Sequence, residues 1–174
     1  MIVPEFSRPR RLDTIGAGET AVEIEATEAE RAALATRFGL IGVDRLTARY
    51  TLRQEASGIA ATGTLAAAVT QACVVTGEPL PAVVDESFAL RFVPESGEAE
   101  EEVELGEDAL DTMFFEGSAI DLGEAAAETL VLALDPYPRS PKAAAALKEA
   151  GVLTEEEARP LGPLAGLKDV LAGR

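Results

Sequence analysis

The sequence contains no histidine, no tryptophan and one cysteine, Cys73. Without histidine the commonest metal ligand and the commonest general base at neutral pH are both missing. A single cysteine rules out an internal disulfide, and one thiol without imidazoles cannot close a four-ligand zinc site. Long apolar runs are missing as well. Nothing approaches the roughly 18 residues that a membrane-spanning helix needs, and the opening "MIVPEFSRPRR" lacks the apolar stretch of a targeting signal. A soluble, cytoplasmic protein is expected. Phosphate-cradling glycine loops and the Gly-x-Ser-x-Gly nucleophile turn are also missing, so the familiar nucleotide-binding and hydrolytic classes find no footing.

The last shortage is local. From Phe92 to Pro138 there is no Lys or Arg against fourteen acids, whereas the remainder carries seventeen acids and fifteen bases, so the net charge of −16 belongs almost wholly to that segment. Within it "ESGEAEEEVELGED", Glu95 to Asp108, has eight acids and no aromatic. Such a stretch cannot repay its ordering entropy and is expected to be a flexible, solvated loop dispensable for folding. Its alternative role is an arm for a basic protein, with Glu100, Glu101, Glu102 and Glu104 as the candidate contacts. With 174 residues and 47% apolar content, one domain is expected over residues 1–151, followed by a tail over 152–174.

Periodicity supplies the elements. "FSRPRRLDTI" and "AVEIEAT" read as short strands around a "GAGE" turn. Thr27 and Glu30 form a capping box that opens a helix with Leu34 and Phe38 on one face and Gly39 at its end. In "DRLTARYTLR" the even positions Leu46, Ala48, Tyr50 and Leu52 alternate with Arg45, Thr47, Arg49, Thr51 and Arg53, giving a core face and a basic face. "IAATGTLAAAVTQAC" is the natural hairpin partner, with Ile59, Leu65, Val69 and Cys73 on its apolar side, so a buried thiol is expected. "SFALRFV" adds a third strand, with Arg91 facing away from the core, and "MFFEGSAI" a further one. Asp121 and Glu124 read as a second capping box, opening "DLGEAAAETLVLAL", whose apolar second half predicts the most buried helix. Asp135-Pro136 stops it. "SPKAAAALKEAG" reads as a short helix with Ser140 as N-cap and Pro141 at its first position, and "GPLAGLKDVLAGR" as a weak helical tail. The expected class is α+β: an antiparallel sheet of about five to seven strands, strongly coiled or barrel-like at the extreme, with two principal helices.

Taken together, "CVVTGEPLPAVVDESFALRFVPE", the acidic interruption, "IDLGEAAAETLVLALDPYPRSP" and "GPLAGLKDVL" resemble the alphaproteobacterial-type branch of the YceD family, the large ribosomal RNA subunit accumulation proteins. The resemblance implies a non-enzymatic factor for large-subunit assembly and 23S ribosomal RNA accumulation. It implies no cofactor, small-molecule substrate or membrane, and a partner that is a basic large-subunit ribosomal protein or the RNA itself. Many family members carry cysteine pairs in the turn after the central hairpin and again after the long helix. Here the first pair is reduced to Cys73 and Thr76 and the second is replaced by "DPYPRSP", so no metal is expected. Cys73, Thr76, Glu78, Pro79, Asp121, Leu122, Glu124, Asp135, Pro136, Tyr137 and Pro138 are left as structural turn and cap residues.

Three readings of the surface compete. Arg45, Arg49 and Arg53, spaced roughly 13 Å apart along a strand, with Arg91 on a neighbouring one, would hold RNA phosphates. The acidic block would hold a basic protein, and the balance leans that way because unopposed acids repel phosphate within a Debye length of about 8 Å. A carboxylate enzyme would need Asp121, Glu124 or Glu128 as acid and base, roles that helix capping and a solvated helix face explain more simply.

Overall fold

The computed structural model describes residues 4–95 and 111–152. In chain order it comprises β1 (Pro9–Arg11), a 3-10 turn (Leu12–Thr14), β2 (Thr20–Glu25), α1 (Glu28–Phe38), β3 (Gly42–Glu55), β4 (Gly58–Ala72), β5 (Pro79–Pro94), β6 (Asp111–Phe115), β7 (Ala119–Asp121), α2 (Leu122–Ala133) and α3 (Ala143–Glu149). The protein is α+β. A five-stranded sheet has the order β2-β3-β4-β5-β6, and β1 pairs with β7 in a separate ribbon.

Alternation builds the centre of this sheet. β3, β4 and β5 form an antiparallel meander, with Tyr50 opposite Gly63 and Gly63 opposite Phe88. Leu46, Ala48, Tyr50 and Leu52 are buried on one face, together with Ile59, Ala61, Leu65, Ala67 and Val69 from β4. Burial of this kind stabilises by about 25 cal/mol per Å² of apolar surface. The ladder slips between Val43 and Arg45. That bulge moves burial from the odd Val43 to the even Leu46, so one extra residue resets the parity of the whole strand. α1 packs on β3, while α2 packs on β4 and β5.

The outline of the sheet differs from expectation in two ways. It is open, since its end strands β2 and β6 do not pair, so barrel-like closure does not occur. It is also not wholly antiparallel, because β6 runs parallel to β5, from Leu90 opposite Asp111 to Pro94 opposite Phe115. "MFFEGSAI" is therefore two strands in two sheets, β6 and β7, rather than one. Only Pro9–Arg11 of the first expected strand is extended.

Helix ends follow their local chemistry, with two exceptions. Thr27 accepts from the Glu30 N–H and Glu30 reaches back to the Thr27 N–H, which completes the capping box of α1. Asp121 caps α2, but Glu124 does not return to it. Its carboxylate is forked by Arg37, at 2.9 and 2.6 Å, and Arg37 also holds Glu5. A charged partner outcompetes a neutral backbone N–H for the carboxylate. α3 begins at Ala143 with Lys142, not Ser140, at its cap. α2 is the most buried of the described helices, as expected, but its burial follows one face rather than its apolar second half. Leu122, Ala125, Ala126, Ala127 and Leu130 are buried, whereas Leu132 is 82% exposed and Val131 39%.

The N-terminal segment is pinned to α1 by Arg8, whose guanidinium forks Glu30 at 2.6 and 2.9 Å. Hydrogen bonding from Arg8 holds the Glu30 carboxyl down to about 2, from an ordinary 4.5. The folded-state pKa is depressed, so the pair's contribution is fully present above about 4.5 and is lost as the pH falls through about 2. Glu30→Gln should be less stable than wild type by on the order of 1 kcal/mol at neutral pH, because the pair is partly solvated and screened. Urea midpoints of the two proteins, followed down in pH, should converge across that window.

Candidate functional site

The sheet face turned away from α1 and α2 carries all four expected arginines. Arg45, Arg49 and Arg53 alternate outward along β3. Arg91 lies in the same cross-strand row as Arg53, with Ala60 between them, two strand spacings or roughly 10 Å away. The structure therefore brings this set onto one surface. The same register brings carboxylates with it. Glu23 of β2 sits opposite Arg49 and pairs with it at 3.2 Å, and Glu55 pairs with Arg53 at 2.5 Å. Glu25 and Asp85 share the row of Thr47 and Ala66. Arg45 has no ion pair among the described residues, and the half-buried Arg91 leaves its Nε without a hydrogen-bond partner. Four guanidinium groups thus stand among four carboxylates, so these eight groups carry no net formal charge. One aromatic that the alternation did not reveal also faces outward here: Phe114, opposite Val93, is 69% exposed. Its position became legible only with the β5–β6 pairing.

The turn that begins at Cys73 meets the loop after α2. Cys73 is 3% exposed, as its strand parity predicts. Its Sγ accepts the N–H of Thr76 at 3.4 Å and of Ser140 at 3.3 Å. The hydroxyls of Thr76 and Ser140 stand 3.5 Å apart, the Val74 N–H donates to the Pro138 carbonyl at 2.9 Å, and Gln71 Nε2 donates to the Asp135 carbonyl at 2.8 Å. Asp135 in turn accepts from the Tyr137 N–H, and Lys142 pairs with Glu78 across the gap. Gly77, at φ 71°, makes the tight return possible. The two segments are joined by hydrogen bonds around one sulfur. Among the described residues no cluster of three or more metal-ligating side chains occurs.

Hydrogen bonding from Thr76, joined by the backbone N–H groups of Ser140, Thr76 and Val75, holds the Cys73 thiol down to about 6 against the opposing effect of burial. Cys73→Ala removes an acceptor from two N–H groups as well as a small apolar group. It should therefore cost about 1–3 kcal/mol in chemical denaturation, at the upper end if no water enters. A thiolate absorbance that titrates near the ordinary cysteine pKa would contradict this hydrogen-bonded sulfur.

The carboxylates considered for catalysis are committed elsewhere. Asp121 accepts from Ser7 Oγ at 2.5 Å, Arg8 N at 2.8 Å, Gly123 N at 2.9 Å and Glu124 N at 3.2 Å, and Glu124 is held by Arg37. Leu122 is buried and its carbonyl accepts the Tyr50 hydroxyl at 2.8 Å. Pro79 opens β5 opposite Ala72, and Pro136 and Tyr137 are exposed in the loop after α2. Glu100, Glu101, Glu102 and Glu104, and the tail from residue 153, lie outside the described residues. Sequence reasoning missed Gln71 and read Ser140 as a helix cap rather than as a partner of the Cys73 turn. Both are small or neutral side chains whose roles are set by a contact far away in the chain.

A family model described as "Large ribosomal RNA subunit accumulation protein YceD" matches residues 61–171. That span covers the Cys73 turn, the acidic segment, α2 and α3. No curated protein and no solved structure matches the chain.

Proposed function

The chain belongs to the YceD family of large ribosomal RNA subunit accumulation proteins, and from that membership we propose that it supports accumulation of the large ribosomal RNA as a non-enzymatic, cytoplasmic factor that binds a basic protein of the large subunit. The observation that carries the choice of partner is the charge balance of the arginine face. Glu23, Glu25, Glu55 and Asp85 stand among Arg45, Arg49, Arg53 and Arg91. Phosphate binding draws its strength from release of counterions by unopposed cations, and a neutral face supplies little of it. No Lys or Arg lies among the acids between Phe92 and Pro138, of which only Glu124 is ion-paired among the described residues, and a basic protein is their natural complement.

Two charge changes separate this reading from an RNA contact. The joint change Arg45→Ala, Arg49→Ala, Arg53→Ala should alter association with the basic proteins of the large subunit by less than about twofold, as expected for exposed charges of which Arg49 and Arg53 are already paired. Neutralising Glu100, Glu101, Glu102 and Glu104 to Gln should slow that association by roughly tenfold at low salt, since exposed charge acts mostly on the encounter rate. Pull-downs from lysate before and after ribonuclease give the wider check. A complex that disappears with ribonuclease and with the triple arginine change would place RNA, not protein, at this surface. Phe114 is the observation that favours that second reading, because an exposed ring on the same face as Arg91 can stack an unpaired base.

A further inference from the structure

The C-terminal half of α2 and the β5–β6 edge enclose a groove of about 540 Å³. Its apolar floor includes Phe88 and Met113, which are partly buried against the core, and its wall includes the 82% exposed Leu132. Glu86, Asp111 and Glu128 line it, and no Lys or Arg does. None of the three has an ion pair among the described residues, whereas Glu124, one turn before Glu128 on α2, is paired with Arg37. Partial desolvation and the charge of Glu124 push the Glu128 carboxyl up against the opposing charge of Arg37, and a cation placed beside it would favour the ionised form.

We propose that this groove seats a basic segment of the protein partner, an apolar side chain of that segment packing on Leu132 while its Lys or Arg residues meet Glu86, Asp111 and Glu128. The proposal rests on the protein-partner reading above and adds the place of contact. Charge decides between the possible occupants. A second copy of a chain with a net charge of −16 would be repelled. Residues 153–174 hold four acids and three bases and so offer the groove no net positive charge. Phosphate would meet three unneutralised carboxylates. A basic peptide with one apolar anchor satisfies both the floor and the rim, the usual division between a buried anchor and a polar surround.

The test uses the full chain and the total proteins of purified large subunits, freed of RNA. A photo-crosslinking amino acid replaces Leu132 in one sample and Thr62, on the opposite sheet face, in another. The expected result is an adduct between position 132 and a basic large-subunit protein, formed at least about tenfold more than from position 62. Leu132→Asp and Glu128→Lys should each weaken binding of that same protein by about tenfold or more, with urea midpoints unchanged because Leu132 and Glu128 are exposed. Undiminished binding by both variants would overturn the groove while leaving the partner reading standing. An adduct from position 132 to residues 153–174 of the same chain would also overturn it. Binding of deproteinised large-subunit RNA but of none of the proteins would overturn the groove and the partner reading together.

Discussion

Gly63→Val should prevent native folding, and Tyr50→Ala should lower stability by about 3–5 kcal/mol. Both changes strike the same point. Tyr50 and Phe88 belong to strands on either side of β4, and their rings meet over Gly63 with centroids 4.9 Å apart at 54°. A Cβ at position 63 would lie 1.9 Å from the Arg49 carbonyl oxygen and 2.8 Å from Phe88 Cζ. The first neighbour is backbone and cannot move without breaking the ladder. Tyr50 is 2% exposed, and alanine would leave a void of ring size in the core. Its hydroxyl is the only polar atom it brings there, and that group donates to the Leu122 carbonyl at 2.8 Å. Tyr50→Phe should therefore cost about 1–2 kcal/mol, the penalty of one buried acceptor left unmet. Urea unfolding of the three variants checks the series. A Tyr50→Phe loss near zero would mean that this contact between sheet and helix adds nothing to stability.

Asp121→Ala should destabilise by about 2–4 kcal/mol, more than an ordinary helix cap, because the carboxylate joins two segments. It caps the first turn of α2 through Gly123 and Glu124, and holds the segment before β1 through Ser7 and Arg8. It also ends β7, opposite Pro9 of β1. Asn in its place keeps the N-cap acceptor but loses the negative charge, so Asp121→Asn should recover part of the loss. Thermal melts of the pair measure that split, and equal losses would show that shape alone, not charge, is what the site needs.

Much of this fold was legible from spacing alone. The alternation from Leu46 to Leu52, the Thr27–Glu30 box, the Asp121 cap and the buried sulfur all rest on neighbours a few residues apart, where local chemistry has no competitor. What escaped reading depends on distant partners. Glu124 has the spacing of a capping box, but Arg37 from α1 takes its carboxylate. The β3 bulge changes parity at Asp44 with no Gly or Pro to mark it. An all-apolar helix end says only that some face is buried, and which one is decided by what packs there. Hence Leu132, inside an apolar run, stands in solvent. The arginine face was visible, but its neutralisation was not, because Glu23 reaches Arg49 only through the register of β2 against β3.

The parallel placement of β6 beside β5 makes their pairing non-local. Leu90 and Asp111, 21 positions apart in the chain, stand level in the ladder, and parallel neighbours cannot be joined by a tight hairpin. The closure entropy of that pairing is set against the packing of Met113 and Phe115 on the core. The β5–β6 edge should therefore order after the β3–β4–β5 meander, whose hairpins are local.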